Sequence, residues 1–156
     1  MEELTERGLA FSELVIEVFR ANGLLLATGD ELAGPVGLTS ARWQVLGVID
    51  HEPITVAGVA RTMGLARQSV QQTADSLAAD GLIVFQDNPL HRRSRLMTLT
   101  SEGRAALAYV ERHQAEWANR LGGRLSLADM KITISTLREL GLETRAQEEE
   151  SPWPTK

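Results

Sequence analysis

Apolar side chains recur at three- and four-residue steps along most of this chain, a spacing that predicts amphipathic helices. Phe11, Leu14, Val15, Val18 and Phe19 form the first such stripe. A helix is therefore expected over about Glu6 to Asp30, broken by Gly34-Pro35-Val36-Gly37. A second helix should begin after Thr39 or Ser40, both good N-caps, and present Trp43, Leu46 and Ile49 before His51-Glu52-Pro53 ends it. Thr55 opens a third, short helix with Val56, Val59, Ala60 and Met63 facing inward, and Gly64 closes it. The fourth runs from about Ala66 to Ala79. Val70, Thr73, Ala74 and Leu77 share its apolar side, while Arg67, Gln68, Gln71, Gln72 and Asp75 fall within an arc of roughly 140° on the other.

After Asp80-Gly81 the pattern changes. Leu82 to Gln86 and Arg95 to Leu99 are short β-rich runs, and Asp87-Asn88-Pro89 between them is turn chemistry, which together predict a hairpin. A fifth helix should start near Ser101 and run to about Leu121, where Gly122-Gly123 interrupts it. Ser126 with Asp129 resembles a capping box opening a sixth helix to about Leu140, with Leu127, Met130, Ile134 and Leu137 on its apolar stripe. The polar tail over 144–156 reads as disordered. The expected fold class is mainly α with a small β-hairpin wing: a winged helix-turn-helix flanked by further helices.

A helix-turn-helix followed by a basic hairpin suits a reader of double-stranded DNA, with one helix in the major groove and the hairpin on the neighbouring backbone or minor groove. Gln pairs with adenine N6/N7 and Arg with guanine O6/N7, so Arg67, Gln68, Gln71 and Gln72 are the expected base readers. Ser69 and Thr73 suit phosphates or a thymine methyl. An idle solvated face would be rich in Glu and Lys, whereas this one has three Gln, one Arg and no Lys. At the hairpin tip, Arg92, Arg93 and Arg95 suit the negative potential of a narrow minor groove. Leu96 and its neighbours are expected to anchor the strand while the arginine side chains stay free.

A net charge of −5 over 156 residues would argue against DNA only if it were spread evenly. From Thr55 to Arg104 six arginines face four carboxylates, a local charge of +2, which leaves −7 for the rest. With 43% hydrophobic residues and only 4% aromatic, the core must be Leu, Val, Ile and Ala, which suits helices. The absence of cysteine excludes a disulfide scaffold, a Cys-based zinc site and a thiol redox sensor. No basic-then-apolar leader opens the chain, and Leu24-Leu25-Leu26-Ala27 falls far short of the ~18 residues of a membrane span. A cytoplasmic location, with no membrane partner, is expected. There is no phosphate-binding glycine loop, no Ser-centred nucleophile motif and no His pair at ligand spacing. His113 and Glu116 read as two exposed polar residues, and His51 as a helix-end cap. No enzyme activity, catalytic residue, metal or cofactor is therefore expected.

Four segments in order resemble the MarR family of bacterial transcriptional regulators: Leu38 to Leu46 (LTSARWQVL), Thr55 to Val70 (TVAGVARTMGLARQSV), Asp80 to Ile83 (DGLI) and Arg92 to Gly103 (RRSRLMTLTSEG). The likeness is close from Leu38 to Gly103 and architectural over the flanking helices. It implies a triangular homodimer in which residues 1–34 and 105–143 dimerise and 38–104 form the DNA-binding lobe. It also implies repression or activation through a near-palindromic operator, often relieved by a small aromatic or phenolic effector. The family's reader positions fall on Arg67, Gln68, Ser69, Gln71 and Gln72. Its Asp-x-Arg wing motif falls on His91-Arg92-Arg93, which makes Arg93 the implied minor-groove residue. The effector pocket is implied between the dimerisation helices and the lobe, with Arg42 as anion holder and Trp43 as stacking surface.

Two positions depart from the family pattern. His91 stands where an Asp holds the wing Arg by a charge-assisted bond, which opens the order of the wing to pH. Ala66 stands where a Ser or Thr often caps the reader helix; losing a cap costs about 1 kcal/mol, but it leaves helix-start N–H groups free to meet a phosphate. The expected function is a homodimeric, ligand-responsive transcriptional regulator, a repressor binding DNA. The alternative is a winged-helix protein-interaction module that does not bind DNA, a reading that the net acidity and His91 favour.

Overall fold

Thr5 accepts a hydrogen bond from the Gly8 amide at 3.1 Å and so opens α1 (Glu6–Ala33) in the computed structural model, which describes residues 3–150. The helix narrows into a single 3-10 turn at Gly34–Val36, and Gly37, at a φ of 71° that suits glycine, turns the chain. α2 (Ser40–His51) is capped from two directions. The Thr39 hydroxyl accepts from the Arg42 amide at 3.3 Å, and the Asp30 carboxylate of α1 accepts from the Ser40 amide at 2.6 Å. Thr55 caps α3 (Val56–Met63) by accepting from the Gly58 amide, and Gly64 ends it in the left-handed conformation with its amide on the Ala60 carbonyl. A short turn leads to α4 (Arg67–Ala79).

β2 (Ile83–Gln86) and β3 (Leu96–Leu99) form the expected antiparallel hairpin, with Ile83 opposite Leu99 and Phe85 opposite Met97. The hydrophobic pattern did not predict β1 (Ile54–Thr55), which pairs with β3 so that the sheet order is β1-β3-β2. Two residues are too few for a periodicity, and their partners, Met97 and Leu96, lie far away in the chain. The core gathers where α2, α3, α4 and this sheet meet. Leu46, Val59, Val70, Leu77, Ile83, Met97 and Val110 are fully buried there, each worth roughly 1.5–3 kcal/mol of apolar transfer as an upper estimate.

Thr100 joins the wing to α5 (Ser101–Gly122). Its hydroxyl accepts from the Gly103 amide at 3.0 Å and donates to the Gly81 carbonyl at 2.7 Å. Ser126 caps α6 (Leu127–Glu150) by accepting from the Asp129 amide at 3.3 Å. This helix continues well past its expected end near Leu140 and into the stretch from 144 that was expected to be disordered. Glu, Arg, Ala and Gln dominate its helical part, 144–150. All are strong helix formers, polarity alone does not unwind a helix, and the single Gly141 at its expected end costs only about 1 kcal/mol. The remainder of the expected tail, 151–156, lies outside the described residues. The described residues pack as two units divided within α5 between Gln114 and Ala115, and the core belongs to the first. Among the described residues no helix is long and apolar enough to cross a membrane.

Candidate nucleic-acid interface

The caps and turns around α3 and α4 set the geometry of a polar face. Val70, Ala74 and Leu77 are buried, so α4 is anchored along one side and its opposite side must face outward. Two rows of side chains stand on that outer side. Gln68 and Gln72 form one; both are exposed and, among the described residues, make no side-chain hydrogen bond within the chain. Arg67, Gln71 and Asp75 form the other, which lines a cleft of about 200 Å³ whose far wall is the wing. Ser69 is exposed at the start of the helix. The Thr73 hydroxyl is half-buried and donates to the Ser69 carbonyl at 3.0 Å, so only its lone pairs remain for another partner. Ala66 provides no side-chain cap, as its chemistry dictates, and the first turn of α4 relies on backbone alone.

The wing is built by a loop that closes on itself. Asn88 accepts from the Leu90 amide through its side chain at 3.0 Å and from the His91 amide through its carbonyl at 3.1 Å; the Ser94 amide then donates to the His91 carbonyl at 3.1 Å. Arg93 and Arg95 line the cleft facing α4, whereas Arg92 lies on the outer side of the loop beside Asp87 and Asn88. The side chains of His91, Arg92 and Arg93 are exposed and, among the described residues, bond to nothing in the chain. Arg95, expected to be free, is held: it donates to the Phe85 carbonyl at 2.9 Å and lies over the Phe85 ring at 5.2 Å. The hairpin register places Arg95 one step beyond the last pair, Gln86 with Leu96, within reach of the opposite strand.

Arg42 and Trp43 are not part of this cleft. Trp43 is half-buried against the core. The Arg42 side chain, only 15% exposed, bridges two segments: one end donates to the Gly37 carbonyl at 2.8 Å and the other pairs with the Asp80 carboxylate at the C-terminal end of α4. Its Nε is buried and, among the described residues, has no hydrogen-bond partner. Arg42 thus ties the start of α2 to the end of α4, a role that spacing along the sequence does not reveal. Sequence reasoning placed Asp75 on the polar arc but left it out of the site. It also missed Ala57 and Phe85, which line the cleft and carry no chemical signature of their own. His113 is engaged by its own helix, with Nδ1 2.8 Å from the Tyr109 carbonyl, and no metal-binding cluster occurs among the described residues.

The MarR family model matches residues 36–94, the span that carries α2, α3, α4 and most of the wing. The protein Rv2011c of Mycobacterium tuberculosis is 36% identical over 136 residues, covering 87% of this chain and 95% of that protein. The solved structure of the transcriptional repressor CouR bound to a 23-mer DNA duplex is 30% identical with a TM-score of 0.74, over 90% of this chain and 99% of that one. CouR from Rhodococcus jostii RHA1 bound to p-coumaroyl-CoA superposes with a TM-score of 0.67 at 23% identity, over 92% and 95% of the two chains, a likeness of fold.

Proposed function

The chain belongs to the MarR family of transcriptional regulators, and from that premise we propose a homodimer that represses transcription at a near-palindromic operator and releases it when a small aromatic or phenolic molecule binds. One observation carries the reading: the cleft in which Arg67 and Gln71 of α4 face Arg93 and Arg95 of the wing. A face that combines amide and guanidinium groups on a helix with arginines on an adjoining hairpin suits simultaneous contact with base edges and with a flanking groove. Gln68, Gln71, Gln72 and Arg67 are the base readers, Ser69 and Thr73 serve phosphates, Arg93 enters the minor groove, and His91, Arg92 and Arg95 support it at the backbone. Residues 38–104 form the DNA-binding lobe, while 1–34 and 105–143 supply the dimer contacts. The protein works in the cytoplasm, where its DNA lies.

Repression takes its support from CouR, a repressor in complex with DNA at 30% identity. The aromatic effector takes its support from the p-coumaroyl-CoA complex of CouR. In this chain an effector carboxylate reaching Arg42 has to displace Asp80, which frees the end of the reader helix, while Trp43 offers a stacking surface. Arg42→Ala should therefore abolish binding of salicylate-like acids in calorimetry; wild-type affinity in that variant would remove Arg42 from the pocket. The DNA reading is tested by anisotropy titrations of labelled upstream DNA at two salt concentrations. Binding should weaken steeply with salt, because each neutralised phosphate releases counterions. No binding at either salt would leave a protein-interaction module.

A further inference from the structure

We propose that Asp75 is a positioning residue of the reader helix: its carboxylate holds the Gln71 amide in the one orientation that reads adenine. The proposal rests on the DNA reading above and adds a specificity determinant to it. Gln71 Nε2 donates to Asp75 Oδ1 at 2.8 Å, one helical turn away. Asp75 shares the cleft with Arg67, Arg93 and Arg95, yet among the described residues the ion pairs are formed elsewhere and its recorded partner is the amide. A carboxylate on a surface meant for phosphates repels every DNA sequence alike. Its presence has to be explained by something other than affinity.

The explanation lies in the chemistry of the amide. A free glutamine amide turns over easily, because its two ends are nearly the same shape and both are satisfied by water. An ionised carboxylate only accepts hydrogen bonds, so Nε2 must face Asp75; the reversed amide would set two acceptors against each other. The bond that results is charge-assisted and stronger than one between neutral groups. Nε2 keeps a second hydrogen, which lies beside Oε1. Those two atoms make a donor and an acceptor side by side, the complement of adenine N7 and N6. Guanine offers two acceptors along the same edge and leaves Oε1 opposed.

The test is anisotropy on the footprinted operator, on the same half-site with each base pair replaced in turn, and on random DNA, with melting temperatures recorded alongside. Asp75→Ala should lose discrimination at one A·T pair by about 10-fold, to the level of Gln71→Ala. Asp75→Asn keeps an accepting oxygen and should restore most of that discrimination. Both Asp75 variants should bind random DNA more tightly, since the repelling charge is gone. In a Gln71→Ala background, Asp75→Ala should leave base discrimination where it stands, because Asp75 acts through Gln71. A merely helix-stabilising Asp75 would shift melting and leave base preference untouched. If Asp75→Ala discriminates like wild type at every position, or Asp75→Asn is as indiscriminate as Asp75→Ala, the positioning role is wrong while the DNA reading stands. A wild-type protein that selects no site at all removes the DNA reading, and this proposal with it.

Discussion

In the proposed interface Gln72 and Arg93 meet different parts of the DNA, and their removal should separate the two. Gln72 stands exposed on the outer row of α4, without a side-chain hydrogen bond among the described residues, and in the proposed reading its amide meets base edges. Gln72→Ala should cost about 1–3 kcal/mol on the operator and little on random DNA. Arg93 is exposed on the wing and lines the cleft, and in the proposed reading it acts through charge and groove shape. Arg93→Ala should weaken binding to both and lower the salt slope by about one. Titrations at several salt concentrations read both quantities, and an unaltered slope would take the wing off the DNA. Glu102, in the first turn of α5, is a different case. Its own backbone N–H, then the Ser101 hydroxyl, hold its carboxyl below the usual carboxylate range. A carboxyl depressed by folding adds stability above its unfolded pKa and loses it as pH falls through the folded one. Wild type should therefore melt above Glu102→Gln near neutral pH, and that gap should close as pH drops from about 6 to about 3. Because the group is fully exposed, the gap is small.

Between elements, a tight seam lies where α5 leaves the wing. Thr100 bonds to Gly81 and caps Gly103, and Gly103 lies so close to Leu82 that an added Cβ would overlap the Leu82 carbonyl oxygen. Backbone cannot step aside as a flexible side chain can. Gly103→Ala should destabilise the fold by about 1–3 kcal/mol, the range for overpacking. Gly47 in α2 has open space around it, so Gly47→Ala should instead stabilise by about 0.4–1 kcal/mol through the unfolded chain. Urea denaturation of the two variants side by side reads the opposite signs. The Arg42 bridge works at the same scale. By joining Gly37 to Asp80 it makes the position of α4 depend on the start of α2.

For the molecule as a whole, the question is what covers its apolar helices. On α1, Phe11, Ile16, Phe19, Leu24 and Leu25 are each at least half exposed in the single chain, and on α6 Leu127, Ile132 and Ile134 are left open as well. Apolar surface of that extent on a monomer marks an association site. Sedimentation at micromolar concentration should give a dimer without DNA, with two reader helices about 34–36 Å apart to match one turn of the duplex. Phe19→Glu should shift the equilibrium to monomer and weaken operator binding, because a half-operator makes half the contacts. A wild-type monomer at those concentrations would overturn the homodimer.

Helix starts and the polar face of α4 were legible in the residues alone, because both rest on local rules, whereas the end of α6 was placed ten residues short. A cap bonds three residues ahead, Gly64 ends α3 through its own backbone freedom, and the apolar stripe of Val70, Ala74 and Leu77 repeats within one helix. The winged-helix order and the family followed from such local signals read in sequence. Tertiary structure decided what depended on partners distant in the chain. β1 exists only because β3 pairs with it. Arg95 is tied to Phe85 across the hairpin by one of its N–H groups instead of standing free, and Arg42 is held by Asp80 and Gly37. Asp75 sits between these cases: its spacing from Gln71 was visible, but only folding brings the wing's arginines to the same cleft, where the choice of the amide as its partner acquires meaning. Charge and hydrogen bonding act over a few ångströms in space, and no pattern along a sequence reports which distant atoms will come that near.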